Sequence, residues 1–185
     1  MLAFNFTPFP ALTTERLILR QLTLADAPAM YALRSDPRVM QYIPRPLAQS
    51  VEDAAAFIEQ MNALTAATVL LNWGITRRDE EQVMGTIGYY SLRPEHFRAE
   101  IGYMLRLDYQ GQGFMQEAVA AVLDYGFEVL RLHSVEAVMD PANAASARVA
   151  ERNHFVKEGH FRESESWDGK FLDTAVYSLL RTAKR

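Results

Sequence analysis

The stretch Asp108-Tyr109-Gln110-Gly111-Gln112-Gly113-Phe114-Met115-Gln116-Glu117-Ala118 decides how this chain is read. An apolar, strand-like run over residues 99–107 leads into it, and a helix-like run over residues 114–130 leads out. Strand, glycine-bearing loop and helix N-terminus, in that order, make a socket for phosphate. The first turn of a helix carries N–H groups without intrahelical partners, and the aligned peptide dipoles place partial positive charge there. Glycines let the main chain approach an anion with no Cβ in the way. No lysine and no Ser/Thr stands beside the second glycine, which argues against a nucleoside-triphosphate P-loop. The spacing differs from GxGxxG, and a dinucleotide fold would carry this loop after its first strand rather than past mid-chain.

Upstream, residues 17–22 read as a first strand, and Thr23-x-x-Asp26 as a capping-box-like helix start. Ala27, Met30, Tyr31 and Leu33 form one side of that helix, which Asp36-Pro37 ends. Ser50 opens a second helix with Phe57, Ile58, Met61 and Leu64 as its apolar stripe. Residues 69–76 and 83–92 form a hairpin around a charged turn. Downstream come a strand over 134–139, a short helix over 141–153, and a last hairpin, 155–163 with 171–180, around Asp168-Gly169. Hairpins alongside crossovers predict a mixed α/β sheet.

At 185 residues, 49% apolar and 23% charged, the chain suits a single globular domain over 1–185. A net charge of −4 gives no basic footprint, so direct nucleic-acid binding is not expected. No run of eighteen apolar residues predicts a membrane span. The aromatic, proline-broken N-terminus does not read as a signal peptide. Without cysteine, disulfides, thiolate metal sites and a thiol nucleophile are excluded. A cytoplasmic protein is the default expectation. His154 and His160 have no third ligand at metal-site spacing, so no metal is expected. No serine lies in a nucleophile-elbow motif. A homodimer or higher homo-oligomer is compatible with the sequence.

A second strand-to-helix junction, Asp140-Pro-Ala-Asn143-Ala-Ala-Ser146, follows the 134–139 strand. Asn143 reads either as a helix cap or as an amide for a long ligand, with Ser146 one turn later on the same face. Together with Gln110-Gly-Gln-Gly113-Phe-Met115, this junction resembles the GNAT superfamily of acetyl-CoA-dependent N-acetyltransferases, whose signature is (Arg/Gln)-x-x-Gly-x-(Gly/Ala). Met115 stands where the signature has a small residue. Thr14-Glu-Arg-Leu-Ile-Leu-Arg20, Ala99-Glu-Ile-Gly-Tyr103, Gln116-Glu-Ala118, Glu151-Arg-Asn-His-Phe155 and Gly169-Lys-Phe-Leu-Asp173 are similar to the ribosomal-protein (Rim-type) alanine/serine N-acetyltransferase branch. His154 departs from it, since relatives commonly have Gly there. The ordered matches imply a catalytic core over about 14–182.

The resemblance implies a GNAT fold with a mixed sheet of about seven strands and about four helices. The fourth and fifth strands of that sheet splay apart. Acetyl-CoA would serve as co-substrate, with pantetheine lying in the gap against the main chain of Met104 and Leu105. The diphosphate would lie on the loop of Gln110, Gly111, Gln112, Gly113, Phe114 and Met115, and Asn143 would contact the pantetheine arm. The acceptor would be a primary amine, at a protein N-terminus or on a small molecule. A coenzyme A-binding module without turnover is the reading from another class.

The attacking amine must be neutral. An α-amino group near pKa ~7.8 is roughly one-tenth neutral at pH 7; a lysine near ~10.4 is about 2.6 units worse, or roughly 3.5 kcal/mol. A base is therefore useful, and Glu100 matches an acid used on this strand by some superfamily members. Glu136, or a water chain, would serve instead. A hydroxyl should protonate the leaving thiolate. Relatives often carry a tyrosine four residues beyond Ser146; this chain has Ala150, which leaves Ser146 as the donor. Tyr42, Ile43 and Arg45, with Trp167 and Phe171 on the last hairpin, read either as the acceptor pocket wall or as core or dimer contacts.

Overall fold

The strand-forming segments of this chain join into one sheet flanked by helices, and the computed structural model describes residues 2–184. In chain order the elements are β1 (Leu12–Thr13), β2 (Leu17–Arg20), α1 (Ala27–Arg34), α2 (Pro37–Met40), α3 (Val51–Ala66), β3 (Leu71–Arg77) and β4 (Gly85–Arg93). They continue as β5 (Arg98–Leu105), α4 (Phe114–Glu128), β6 (Ser134–Met139), α5 (Ala144–Arg152), β7 (Val156–Trp167) and β8 (Lys170–Leu180). The sheet runs β1-β2-β3-β4-β5-β6-β8-β7. Every neighbouring pair is antiparallel except β5 with β6. The mixed α/β sheet expected from the sequence is present.

Two elements were not legible. The two-residue β1 pairs Leu12 with Leu19 and brings the sheet to eight strands. Asp36-Pro37 does end α1, but it also starts α2. The Asp36 carboxylate accepts the Arg38 N–H at 2.9 Å, and Pro37 fills the first helical position, where its missing N–H costs nothing. The last hairpin is longer than expected. Asp168 and Gly169 both lie at positive φ, 49° and 71°, the backbone that a tight two-residue hairpin turn requires.

The helices cover opposite faces. Ala118, Val119, Val122, Leu123 and Phe127 of α4 are buried against Trp73, Ile87, Tyr89 and Ile101 of the sheet, and Ala150 of α5 joins this cluster. Each large side chain so buried contributes about 1.5–3 kcal/mol. On the other face Met30 and Leu33 of α1 pack with Ala54 and Ile58 of α3 against Leu22 and Val83.

The parallel β5–β6 ladder has three rungs, Arg98 with Ser134, Ala99 with Val135 and Glu100 with Glu136. Beyond Glu100, β5 continues to Leu105 on β4 alone, while β6 continues to Met139 on β8. The two central strands therefore diverge after Glu100, and the wedge between them opens toward the glycine loop.

Candidate active site

Gly111 and Gly113 lie at φ +75° and +80°, a left-handed backbone that glycine adopts at the least cost, so glycine favours this loop conformation. The N–H groups of Gly113, Phe114, Met115 and Gln116 have no hydrogen-bond partner among the described residues; the helix ladder starts with Glu117 N–H on Gly113 O at 3.1 Å. Two side-chain amides brace the turn. Gln110 Nε2 donates to Leu105 O at 2.9 Å and Gln112 Nε2 to Asp108 O at 2.8 Å. Met115, the departure from the family signature, turns its side chain into the core, where it is 7% exposed.

A cleft of about 510 Å³ runs from this loop along β5 to α5. Strand alternation decides which main chain faces the wedge. Arg106 N–H bonds Met84 O on the β4 side, so Met104 turns its N–H and C=O the same way. Tyr103 and Leu105 turn theirs toward the wedge. Met104 therefore lines the cleft without offering it main-chain hydrogen bonds, and that share of the sequence expectation passes to Tyr103.

Across the cleft, Asn143 Oδ1 accepts the Ser146 N–H at 3.0 Å, so Asn143 is the α5 cap while also lining the cleft. Ser146 Oγ donates to the Tyr103 hydroxyl at 3.1 Å, and that hydroxyl donates to Ser146 O at 3.2 Å. Burial raises the Tyr103 phenol to about 12, so it stays protonated. Tyr103 was not singled out from the sequence as a site residue, although it ends the quoted Ala99–Tyr103 segment. Period-two alternation places its side chain on the α4 and α5 face, but no local signal pairs it with Ser146. Arg148 and Arg152 line the same cleft and form no ion pair among the described residues.

A second cavity, about 500 Å³, lies on the far side of Gln41-Tyr42-Ile43, which lines both. Arg45 and Trp167 wall it, and Glu100 borders it. Phe171 does not join them: it is 69% exposed and lines neither cavity, because its neighbours Lys170 and Leu172 take the inward face.

Glu100 and Glu136 differ sharply. Both Glu136 carboxylate oxygens are engaged, Oε2 by Arg98 at 2.6 Å and Oε1 by Arg93 at 3.0 Å. Glu100 has no hydrogen bond or ion pair among the described residues. Its burial, and then the neighbouring Glu136 charge, push its pKa up, against the pull of Arg93. Of the two acids considered for a base, Glu100 has a free carboxylate at the cavity and Glu136 is held by arginines.

A row of open N–H groups in a left-handed glycine turn, with two unpaired arginines along the cleft, fits a diphosphate-bearing ligand. Residues 16–156 match the acetyltransferase (GNAT) domain family. The chain belongs to the GNAT acetyltransferase family. It is an acetyl-CoA-dependent N-acetyltransferase. The acetyltransferase is 39% identical, over 94% of its own length and 98% of the relative's, to Uncharacterized N-acetyltransferase YoaA of Bacillus subtilis (strain 168). It is 31% identical to the ribosomal-protein-serine acetyltransferase of Escherichia coli (strain K12), over 55% of this chain and 56% of that one. Among solved structures, a GNAT-family acetyltransferase from Bacillus anthracis superposes with a TM-score of 0.83 at 30% identity, covering 92% of this chain and 98% of that one. No helix among the described residues is long and apolar enough to cross a membrane.

Proposed function

We propose that this acetyltransferase acetylates the α-amino group of a protein or peptide N-terminus, of the ribosomal-protein type, in the cytoplasm. The observation that carries this reading is the free Glu100 carboxylate at the end of a cavity walled by the 41–45 segment and the last hairpin. A chain end entering there brings its amine to a base at the point where β5 and β6 diverge. Similarity to the ribosomal-protein-serine acetyltransferase supports the same acceptor class.

Bound acetyl-CoA supplies an acetyl group activated as a thioester. The N–H groups of Gly113, Phe114, Met115 and Gln116 hold its diphosphate, helped by the freedom of Gly111. The main chain of Tyr103 and Leu105, the Met104 side chain and the Asn143 side chain bracket the pantetheine arm. Glu100 takes the proton from the acceptor amine; a carboxylate with a raised pKa is better matched to that proton than an ordinary one. Ser146 Oγ, tied to the Tyr103 hydroxyl, stands as the proton source on the α5 side. Tyr42, Ile43, Arg45 and Trp167 shape the acceptor's approach.

The test is a panel with acetyl-CoA: peptides with a free N-terminal serine or alanine, the same peptides N-terminally blocked with an internal lysine, and small primary amines. Thiol release and product masses are followed. The reading predicts acetylation of the free N-termini and little of the blocked peptides. Turnover confined to lysine side chains or small amines would overturn it.

A further inference from the structure

The segment Thr14-Glu-Arg16 and Glu117 lie 101 to 103 positions apart in the chain, yet they form one hydrogen-bonded unit beneath the glycine loop. Glu117 Oε1 accepts the Thr14 hydroxyl at 2.5 Å and the Arg16 N–H at 2.9 Å, and Oε2 accepts Arg16 Nε at 2.6 Å. The Arg16 guanidinium, fixed at Nε, stacks over the Phe114 ring at 4.5 Å and donates from a second nitrogen to Gln112 O at 3.0 Å. That last bond has a geometric consequence. In a planar trans peptide the C=O of Gln112 and the N–H of Gly113 point in opposite directions. Drawing the Gln112 oxygen toward Arg16 therefore aims the Gly113 N–H the other way, into the cleft that Gly113 lines. Without an anion, converging N–H groups repel one another, and a turn with two glycines has many other conformations open to it. An external tie is needed to keep this one.

We propose that Arg16 is a positioning residue that holds the diphosphate loop in its binding conformation, with Glu117 and Thr14 holding Arg16. This rests on the assignment of the loop to coenzyme A. The clamp explains why the turn between β1 and β2 and the first turn of α4 both carry family-like residues far from the reacting atoms.

The assay is coenzyme A binding by calorimetry, with the ligand-free melting temperature recorded for each variant. Arg16→Gln weakens coenzyme A by about tenfold or more, as expected for loss of a charge-assisted hydrogen bond. KM for acetyl-CoA rises in proportion, while kcat falls by a much smaller factor. Glu117→Gln separates positioning from simple charge. Removing an acid near a polyanion tightens binding if charge alone matters, whereas loss of the clamp weakens it. The proposal expects weaker binding in Glu117→Gln, and a smaller loss in the same direction in Thr14→Val, which removes one bond and provides the answer should Glu117→Gln not fold. Affinity within twofold of wild type in Arg16→Gln, or tighter binding in Glu117→Gln or Thr14→Val, overturns it. Absence of coenzyme A binding by the wild-type protein would instead overturn the loop assignment.

Discussion

Glu100 and Glu136 are partnered on the last rung of the β5–β6 ladder, yet only Glu136 is neutralised, by Arg93 and Arg98. Immediately beyond that rung the two strands diverge. The fold thus leaves one carboxylate unpaired and half-buried where the wedge begins, beside a second acid that raises its proton affinity.

That arrangement predicts the pH dependence of catalysis. Glu100 acts as a base only when ionised, so kcat/KM falls as pH drops through its raised pKa, above the ordinary value of 4.5. Glu100→Gln is expected to lower kcat/KM by roughly 10²-fold or more and to remove this limb, leaving the titration of the amine itself. A pH–rate profile of the variant that keeps the limb would remove Glu100 from the role.

The same pair predicts opposite stability effects from two chemically identical changes. A carboxyl whose folded pKa is raised binds its proton more tightly in the folded state. Stability is therefore lost as pH rises from 4.5 through the raised value, and Glu100 is a net cost above that window. Glu100→Gln should raise the melting temperature at pH 7, with the gain vanishing below about pH 4. Glu136→Gln leaves Arg98 and Arg93 without their counter-charge and should destabilise by about 2 kcal/mol, less than a fully buried pair because both arginines are partly exposed. Thermal unfolding of both variants across pH checks the two signs together.

On α5 the hydroxyl pair gives a graded prediction. Ser146→Ala removes the proton source and should lower kcat by roughly tenfold or more, with little change in coenzyme A affinity. Tyr103→Phe removes the group that both accepts from Ser146 Oγ and donates to Ser146 O, and should lower kcat less than Ser146→Ala does. Steady-state kinetics beside calorimetry measure both. A larger kcat loss in Tyr103→Phe than in Ser146→Ala would make Tyr103 the donor and Ser146 its support.

His154 follows the C-terminal end of α5 at φ 65°, a left-handed backbone. A Cβ there is costly. His154→Gly is expected to stabilise by about 1 kcal/mol, or roughly 2–4 °C in melting temperature, without affecting turnover. A decrease in melting temperature would mean that the imidazole contributes more than the backbone loses.

What could be read from the sequence was mostly local. The glycine loop, the strand before it and the helix after it follow from neighbouring residues, and β6 was placed at its observed bounds, just before Asp140-Pro141. Asp168-Gly169 announced its own turn. The elements that escaped were the two-residue β1, too short for any period, and α2, hidden because Asp36-Pro37 both stops one helix and starts the next. In the site, single residues on strands were found more readily than partnerships. Glu100 could be named from its match to an acid on this strand in some superfamily members, but its difference from Glu136 depends on arginines brought in by β4 and β5. Tyr103 with Ser146, and Arg16 with Glu117, are contacts across 43 and 101 positions, and no periodicity encodes them. Met115 could be named as a departure from the signature, but sequence cannot show that its side chain turns into the core.

The most direct test of the account is an amide titration. Adding coenzyme A to ¹⁵N-labelled protein should move the backbone N–H resonances of Gly113, Phe114, Met115 and Gln116 most strongly, with Tyr103 and Leu105 following along the wedge. Binding that leaves those four amides unmoved and shifts residues elsewhere would contradict it.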